Sequence, residues 1–381
     1  MIPHARPVMS DKESLYLQEC VTTNFVSSVG PFVDRFERQV AEATGCAGAV
    51  ATSSGTTALH ASLLTVGVGR DDLVVLPSFT FIASANAIAH CGAMPWLMDV
   101  DAESWTLDAG LVRRAFDRET HRDGDQLIHA PTGRRVAAIM PVHTLGVAAD
   151  MEALSRIAAE HRLPIVADAA AAIGATFRGR PIGAMGADLS VISFNGNKTI
   201  TAGGGGAIVG NDAPLLRLAR HLTTTARAGE EYAHDRVGYN YRMTNLQAAV
   251  GCAQMDRWQE MVEAKKRIRR RYDEAFGNHP SLSAFPDPPD RESACWLSGI
   301  RIRLTSPSIE SLRERLRAEG IETRAFWQPV HRQLPYREAP ASEMPVTELL
   351  WRTILTLPCS TDLSEADQTR VIDAVRSAVQ G

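Results

Sequence analysis

Ser190-Val191-Ile192-Ser193-Phe194-Asn195-Gly196-Asn197-Lys198-Thr199 opens as a short β-branched run and closes on a polar turn that carries a lysine. The run from Leu189 to Phe194 reads as a buried strand. Gly203 to Gly206 follow it and read as a tight turn into a second strand, Ala207 to Gly210. No Lys-Ser/Thr pair comes after these glycines, so they are not a phosphate loop. Upstream, similar runs recur at Leu73 to Pro77, Met94 to Val100, Val136 to Val142 and Pro164 to Asp168. Between them lie stretches of helical periodicity: Thr56 to Val66, Ser84 to His90 and Met151 to His161. Strands alternating with helices predict an α/β domain with a mostly parallel sheet.

Two segments interrupt or end that alternation. Residues 117–135 are dominated by polar side chains and predict a surface hairpin ahead of the strand that starts near Val136. After Gln247 a long helical pattern runs to about Phe276. Strand signals over Cys295 to Leu304 and a helix from Ser308 to Glu319 come next. They predict a smaller C-terminal α+β domain, dividing the chain into residues 1–250 and 251–381.

Composition narrows the class. The 381 residues are 45% hydrophobic and 22% charged, with a net charge of −4, which gives no basic field for nucleic acid or anionic lipid. The basic run Lys265-Lys266-Arg267-Ile268-Arg269-Arg270-Arg271 has apolar neighbours at helical spacing and reads as a solvated helix face. Cys20, Cys46, Cys91, Cys252, Cys295 and Cys359 show no paired spacing, so reduced thiols are expected, with neither a disulfide framework nor a metal site. No segment has the character of a signal peptide or a bilayer span, and a cytoplasmic protein is expected.

Three places carry possible chemistry. Ser53-Ser54-Gly55-Thr56-Thr57 follows a strand-like run and opens a helix. Its small residues and free amides suit a phosphate, although plain N-capping explains them as well. Asp168 ends the apolar strand Pro164 to Ala167, where ligands of open α/β sheets bind; capping of the next helix is the alternative. Lys198 sits in a turn at the sheet edge, where shielding from water would depress its pKa; an ordinary surface lysine is the alternative. In this order the three match the needs of pyridoxal-phosphate (PLP) chemistry: a phosphate cradle, a carboxylate for the pyridine nitrogen, and an amine that binds the aldehyde and moves protons.

At these residues the sequence resembles the DegT/DnrJ/EryC1/StrS family of sugar aminotransferases, PLP enzymes of the aspartate-aminotransferase fold (type I). The resemblance covers essentially the whole chain. It is carried by Gly30-Pro31-x-Val33-x-x-Phe36-Glu37, Ser54-Gly55-Thr56-x-Ala58-Leu59, Pro77-x-x-Thr80-Phe81, Pro141-Val142-His143-x-x-Gly146, Asp168-Ala169-Ala170, Ser193-Phe194-x-x-x-Lys198, Gly238-Tyr239-Asn240-Tyr241-Arg242-Met243 and Leu357-Pro358. It implies that Lys198 holds the cofactor covalently, that Asp168 partners the pyridine nitrogen, and that Phe81 covers the ring face. It further implies that Ser54, Gly55, Thr56 and Ser193 hold the phosphate, and that Asn240 reaches the phosphate of a neighbouring subunit, making the enzyme a homodimer. Family members with histidine in place of the lysine perform dehydration, so lysine here implies transamination. Two positions depart from the family pattern: Ala167, usually acidic, and Ala171, usually a polar residue beside the cofactor.

Three segments resemble the subgroup that serves legionaminic-acid and related nonulosonate pathways: Asn24-Phe25-Val26-Ser27-Ser28-Val29-Gly30, the hairpin with Thr132-Gly133-Arg134, and Phe194 to Lys198. That likeness implies L-glutamate as donor and a UDP-linked 4-keto-6-deoxy-N-acetylhexosamine as acceptor. GDP- and dTDP-linked keto-sugars, PLP-dependent dehydration and a non-catalytic scaffold are the alternatives. A nucleotide diphosphate needs cationic or hydroxyl partners, for which Ser27, Ser28, Arg242, Arg324 and His331 are the candidates.

Overall fold

The computed structural model describes residues 1–229, 231–303 and 308–380; Leu304, expected to end a strand, lies outside them. Its centre is a sheet built from β1 (Gly48–Thr52), β2 (Leu73–Pro77), β3 (Met94–Met98), β4 (Arg134–Ile139), β5 (Val166–Asp168), β6 (Leu189–Ser193) and β7 (Gly206–Gly210). β2 runs parallel to β3 and β4. The bridges Ile139–Ile165 and Val142–Asp168 carry the sheet across to β5, which is parallel to β6. β7 is reversed and pairs antiparallel with both β6 and β1. The physical reason is the connection: residues 194–205 contain no helix, and parallel pairing needs a long crossover. The turn that brings β7 back is the one that carries Lys198.

Every residue of β2 and β7 is buried, as strands covered on both faces must be. The expected hairpin is present as Thr120–Asp123 paired antiparallel with Gln126–His129 around Gly124, whose φ of 58° suits glycine. The second of these strands continues onto β4.

The Asn245–Met255 helix, cut by the expected division at 250/251, packs whole against the Pro31–Thr44 helix: Ala248, Cys252 and Met255 share one core with Phe32 and Phe36. After it the chain turns at Asp256 and Arg257 into the Trp258–Phe276 helix. A second core then forms around Ile268, Tyr272, Phe276, Ile300, Leu312, Leu355 and Val371. It backs an antiparallel sheet of Leu282–Ser283, Ser298–Ile302, Ile354–Leu357 and Arg324–Ala325. Ile2 joins this C-terminal unit, its amide donating to the Gly320 carbonyl at 2.8 Å.

The basic run on the Trp258–Phe276 helix is not a solvated face throughout. Lys265 and Arg269 are buried, because they fall on the same stripe as Met261, Val262, Ile268 and Tyr272. The Lys265 amine donates to the carbonyls of Trp296 (3.0 Å) and Cys359 (2.6 Å), and the Arg269 guanidinium donates to the Phe285 carbonyl (2.5 Å). Lys265→Met removes the donors and leaves two buried acceptors unpaired. It is expected to lower the unfolding free energy by about 1–3 kcal/mol in urea titrations; an unchanged midpoint would refute that role. The six cysteines are free thiols, and no helix among the described residues is long and apolar enough to cross a membrane.

Candidate active site

A cavity of about 320 Å³ opens at the carboxyl ends of β5 and β6. Ser54, Gly55, Thr56, Phe81, Asp168, Ser193 and Lys198 all line it. The fold brings together these seven residues from four separated stretches of the chain, around 54–56, 81, 168 and 193–198.

One end is a turn with no room for side chains. Ser54 caps the Gly55–Thr65 helix, and its hydroxyl and that of Thr57 form a reciprocal capping box. Gly55 and Thr56 open the helix, where amides have no intrahelical acceptor and the dipole favours an anion. The start of β7 passes so close that a Cβ on Gly206 would stand 2.6 Å from the Ser54 carbonyl oxygen and 2.7 Å from the Gly55 nitrogen. Ser193, from the end of β6, closes the other side.

Asp168 forms the floor. It is buried, and its two carboxylate oxygens accept from the Ser84 hydroxyl (2.7 Å) and the Ala170 amide (3.0 Å). Its own backbone is fixed to the neighbouring strand end through the Pro141 carbonyl and the His143 amide, both at 2.9 Å. Lys198 stands on the wall. Its amine lies 3.5 Å from the centroid of the Trp296 ring. Burial lowers its pKa to about 8, against the opposing pull of Asp168. The residue's partial exposure is to the cavity that it lines. At pH 7 such a shift raises the neutral, nucleophilic fraction by about 300-fold over a lysine in water. Phe81 stands at the mouth, 53% exposed, edge-on to Trp327 with centroids 5.6 Å apart.

Several cavity residues were not singled out from sequence. The His143 ring is buried and its pKa falls to about 4, through burial and then the nearby positive charge of Arg291. It is therefore neutral; Nδ1 accepts from the Ala149 amide at 3.2 Å, which leaves the proton on Nε2. That Nε2 and the Thr144 hydroxyl have no hydrogen-bond partner among the described residues. Only the motif around Pro141 signalled this stretch. Trp296, one tryptophan ahead of a strand, gave no signal in its spacing.

The other expected residues stand elsewhere. Arg324 is exposed, paired with Glu322 at 2.7 Å, and borders a separate groove with Met1 and Arg313. Both nitrogens of His331 are engaged, by the Ser78 hydroxyl (2.7 Å) and Glu348 (2.8 Å). Neither is among the residues lining the cavity. Ser27 and Ser28 lie in the 23–30 loop, with the Ser27 carbonyl accepting from the Asn245 amide. Arg242 bridges by its backbone to Thr52, beside the capping turn, and its buried Nε has no partner among the described residues. Asn240 is exposed and outside this cavity.

The cavity fits pyridoxal phosphate. A helix amino terminus and two serines face a phosphate, a buried carboxylate suits a pyridinium, and an amine of lowered pKa suits an aldehyde.

Comparison with known proteins agrees. Among curated proteins the chain is 36% identical to a GDP-perosamine synthase of Caulobacter vibrioides, over 97% of this chain and 96% of that protein. It is 33% identical to a GDP-perosamine synthase of Escherichia coli O157:H7, over 98% and 97%. Among solved structures it superposes with a TM-score of 0.88 on a DegT DnrJ EryC1 StrS aminotransferase from Brucella abortus, at 30% identity over 97% of this chain and 96% of that one. The DegT/DnrJ/EryC1/StrS aminotransferase family matches residues 7–376, and with the type I fold in place the chain belongs to that family and is an aminotransferase that uses pyridoxal phosphate.

Proposed function

We propose that this protein transfers an amino group from L-glutamate to a nucleotide-linked 4-keto-6-deoxy sugar, with Lys198 as its catalytic residue. The observation that carries the role of Lys198 is its placement: an amine of depressed pKa on the wall of the cavity whose floor is Asp168. Bound PLP supplies an aldehyde for the donor amine and a protonated ring that withdraws electrons. Asp168, oriented by Ser84 and Ala170, holds the proton on the ring nitrogen. The amides of Gly55 and Thr56 with Ser54 and Ser193 bind the phosphate, and Phe81 screens the ring from water. Lys198, once released, would take the proton from the amino-acid α-carbon and deliver it to the carbon that was the cofactor's aldehyde, so that the amino group stays with the cofactor and the keto acid leaves.

Asn240 is assigned to the site of a second subunit, which fits its exposure outside its own cavity. The active form is accordingly a homodimer. The His143 Nε2 proton and the Thr144 hydroxyl are free to meet cofactor or substrate oxygens where Ala171 offers none.

For the sugar carrier, GDP is favoured by the two synthases similar to this chain across nearly its whole length. The UDP-linked N-acetylhexosamine reading rests on the three shorter segments, 24–30, 132–134 and 194–198. PLP-loaded protein is bleached with L-glutamate and then offered GDP-, UDP- and dTDP-linked 4-keto-6-deoxy sugars. Recovery of colour is expected with the GDP-linked sugar. Recovery with the UDP-linked sugar alone would reverse the carrier assignment, and recovery with none would refute a nucleotide-sugar substrate.

A further inference from the structure

We propose that Trp296 is the positioning residue of Lys198, and that its ring face is the resting place of the lysine's free, protonated amine. Three contacts converge on this residue, two on its ring and one on its backbone carbonyl. Its indole N–H donates to the Asn197 carbonyl at 2.8 Å, pinning the turn one residue ahead of the lysine. Its ring lies under the Lys198 amine, 3.5 Å from nitrogen to centroid, well inside the range where a cation gains from an aromatic face. Its own carbonyl accepts from the buried Lys265 amine at 3.0 Å. Trp296 belongs to the C-terminal unit, whose core it shares with Phe326 and Leu357. The tryptophan therefore fixes, from that unit, a lysine that hangs from the central sheet.

The inference rests on the reading of Lys198 as the proton carrier. Burial disfavours an ammonium at this place, yet a lysine that removes a proton from carbon must become one. Among the charged and titratable groups of the cavity lining, Asp168 favours the ammonium and His143 is neutral. The Trp296 ring supplies stabilisation at short range without an anion that would hold the proton too tightly. It also sets the direction of the amine, because the indole bond to Asn197 holds the ring and the buried Lys265 holds the backbone that bears it.

The test uses cofactor-free, full-length protein. The pKa of Lys198 is read from the pH dependence of its acetylation rate, followed by mass spectrometry of the peptide that carries it. Trp296→Leu is expected to lower that pKa by about half a unit or more, since the cation loses its aromatic face. Trp296→Phe keeps a ring and is expected to stay within about 0.3 of the wild type. Trp296→Met has a longer, more adaptable side chain without a ring and should behave as leucine does, which keeps the test decisive if the leucine variant fails to fold. A pKa unchanged or raised in the leucine or methionine variant, or lowered equally by phenylalanine, overturns the proposal. The titration involves no cofactor, so its failure is distinct from a failure of the Lys198 assignment, which is read from the colour of the loaded enzyme.

Discussion

Lys198→Ala is expected to lose the visible band of the lysine-bound cofactor and to lower turnover by on the order of 10³-fold or more. Its circular dichroism and urea midpoint should stay close to wild type. The loss has two sources. The aldehyde has no amine to hold it, and no other amine occurs among the residues that line the cavity. The fold has little reason to change. Lys198 lies in a turn secured by the backbone, with its own amide on the Asn195 carbonyl (2.9 Å) and the Phe194 amide on the Gly205 carbonyl (3.0 Å). Removing a desolvated amine also relieves a burial cost. Turnover within tenfold of wild type, or a persisting visible band, would show that another amine holds the cofactor.

Asp168→Asn is expected to keep the fold and some cofactor binding while turnover falls by about 10²- to 10⁴-fold. Asparagine fills the same space, and its oxygen can still accept from the Ala170 amide or the Ser84 hydroxyl. It cannot balance a positive charge, so the pyridine nitrogen loses the anion that keeps it protonated. The phosphate end of the cavity is untouched, and the protein should still take up PLP. Steady-state kinetics with L-glutamate, alongside the cofactor content of dialysed protein, separate the two effects. Turnover near wild type with cofactor bound would mean that Asp168 does no more than fix its neighbouring backbone.

Both residues were legible in the sequence because strand ends are legible. An apolar run stopping on Asp168 or leading into Lys198 places the side chain at the carboxyl edge of a sheet, whatever the rest of the molecule does. The phosphate turn was ambiguous for a physical reason: a capping serine and a phosphate-binding serine look the same, and in this structure Ser54 caps a helix and lines the cavity. Trp296 was not legible. Its position under Lys198 depends on how the C-terminal unit docks, and no local pattern encodes that. Lys265 was misread because a run of basic residues has an average character, whereas burial is decided by the phase of each residue around the helix. His331 is held by partners that only the fold brings to it, Ser78 and Glu348, whereas Arg324 is taken up on the surface by Glu322, two residues away. Ser27, Ser28 and Asn240 lie on the surface, outside the cavity of their own chain.

The hairpin before β4 bears on solubility. Its Thr120–Asp123 strand is the last in its row, so its outer backbone groups could pair with a strand of any other molecule. His121, Arg122 and Asp123 along it are exposed, and the Arg122 guanidinium reaches back to the carbonyls of Asp125 (3.0 Å) and His161 (2.8 Å). A strand crowded with charge makes a poor template for edge-to-edge growth. The insertion thus acts as a guard rail: beside the start of β4 it presents an outer strand of exposed, charged residues that discourages fibrous self-association.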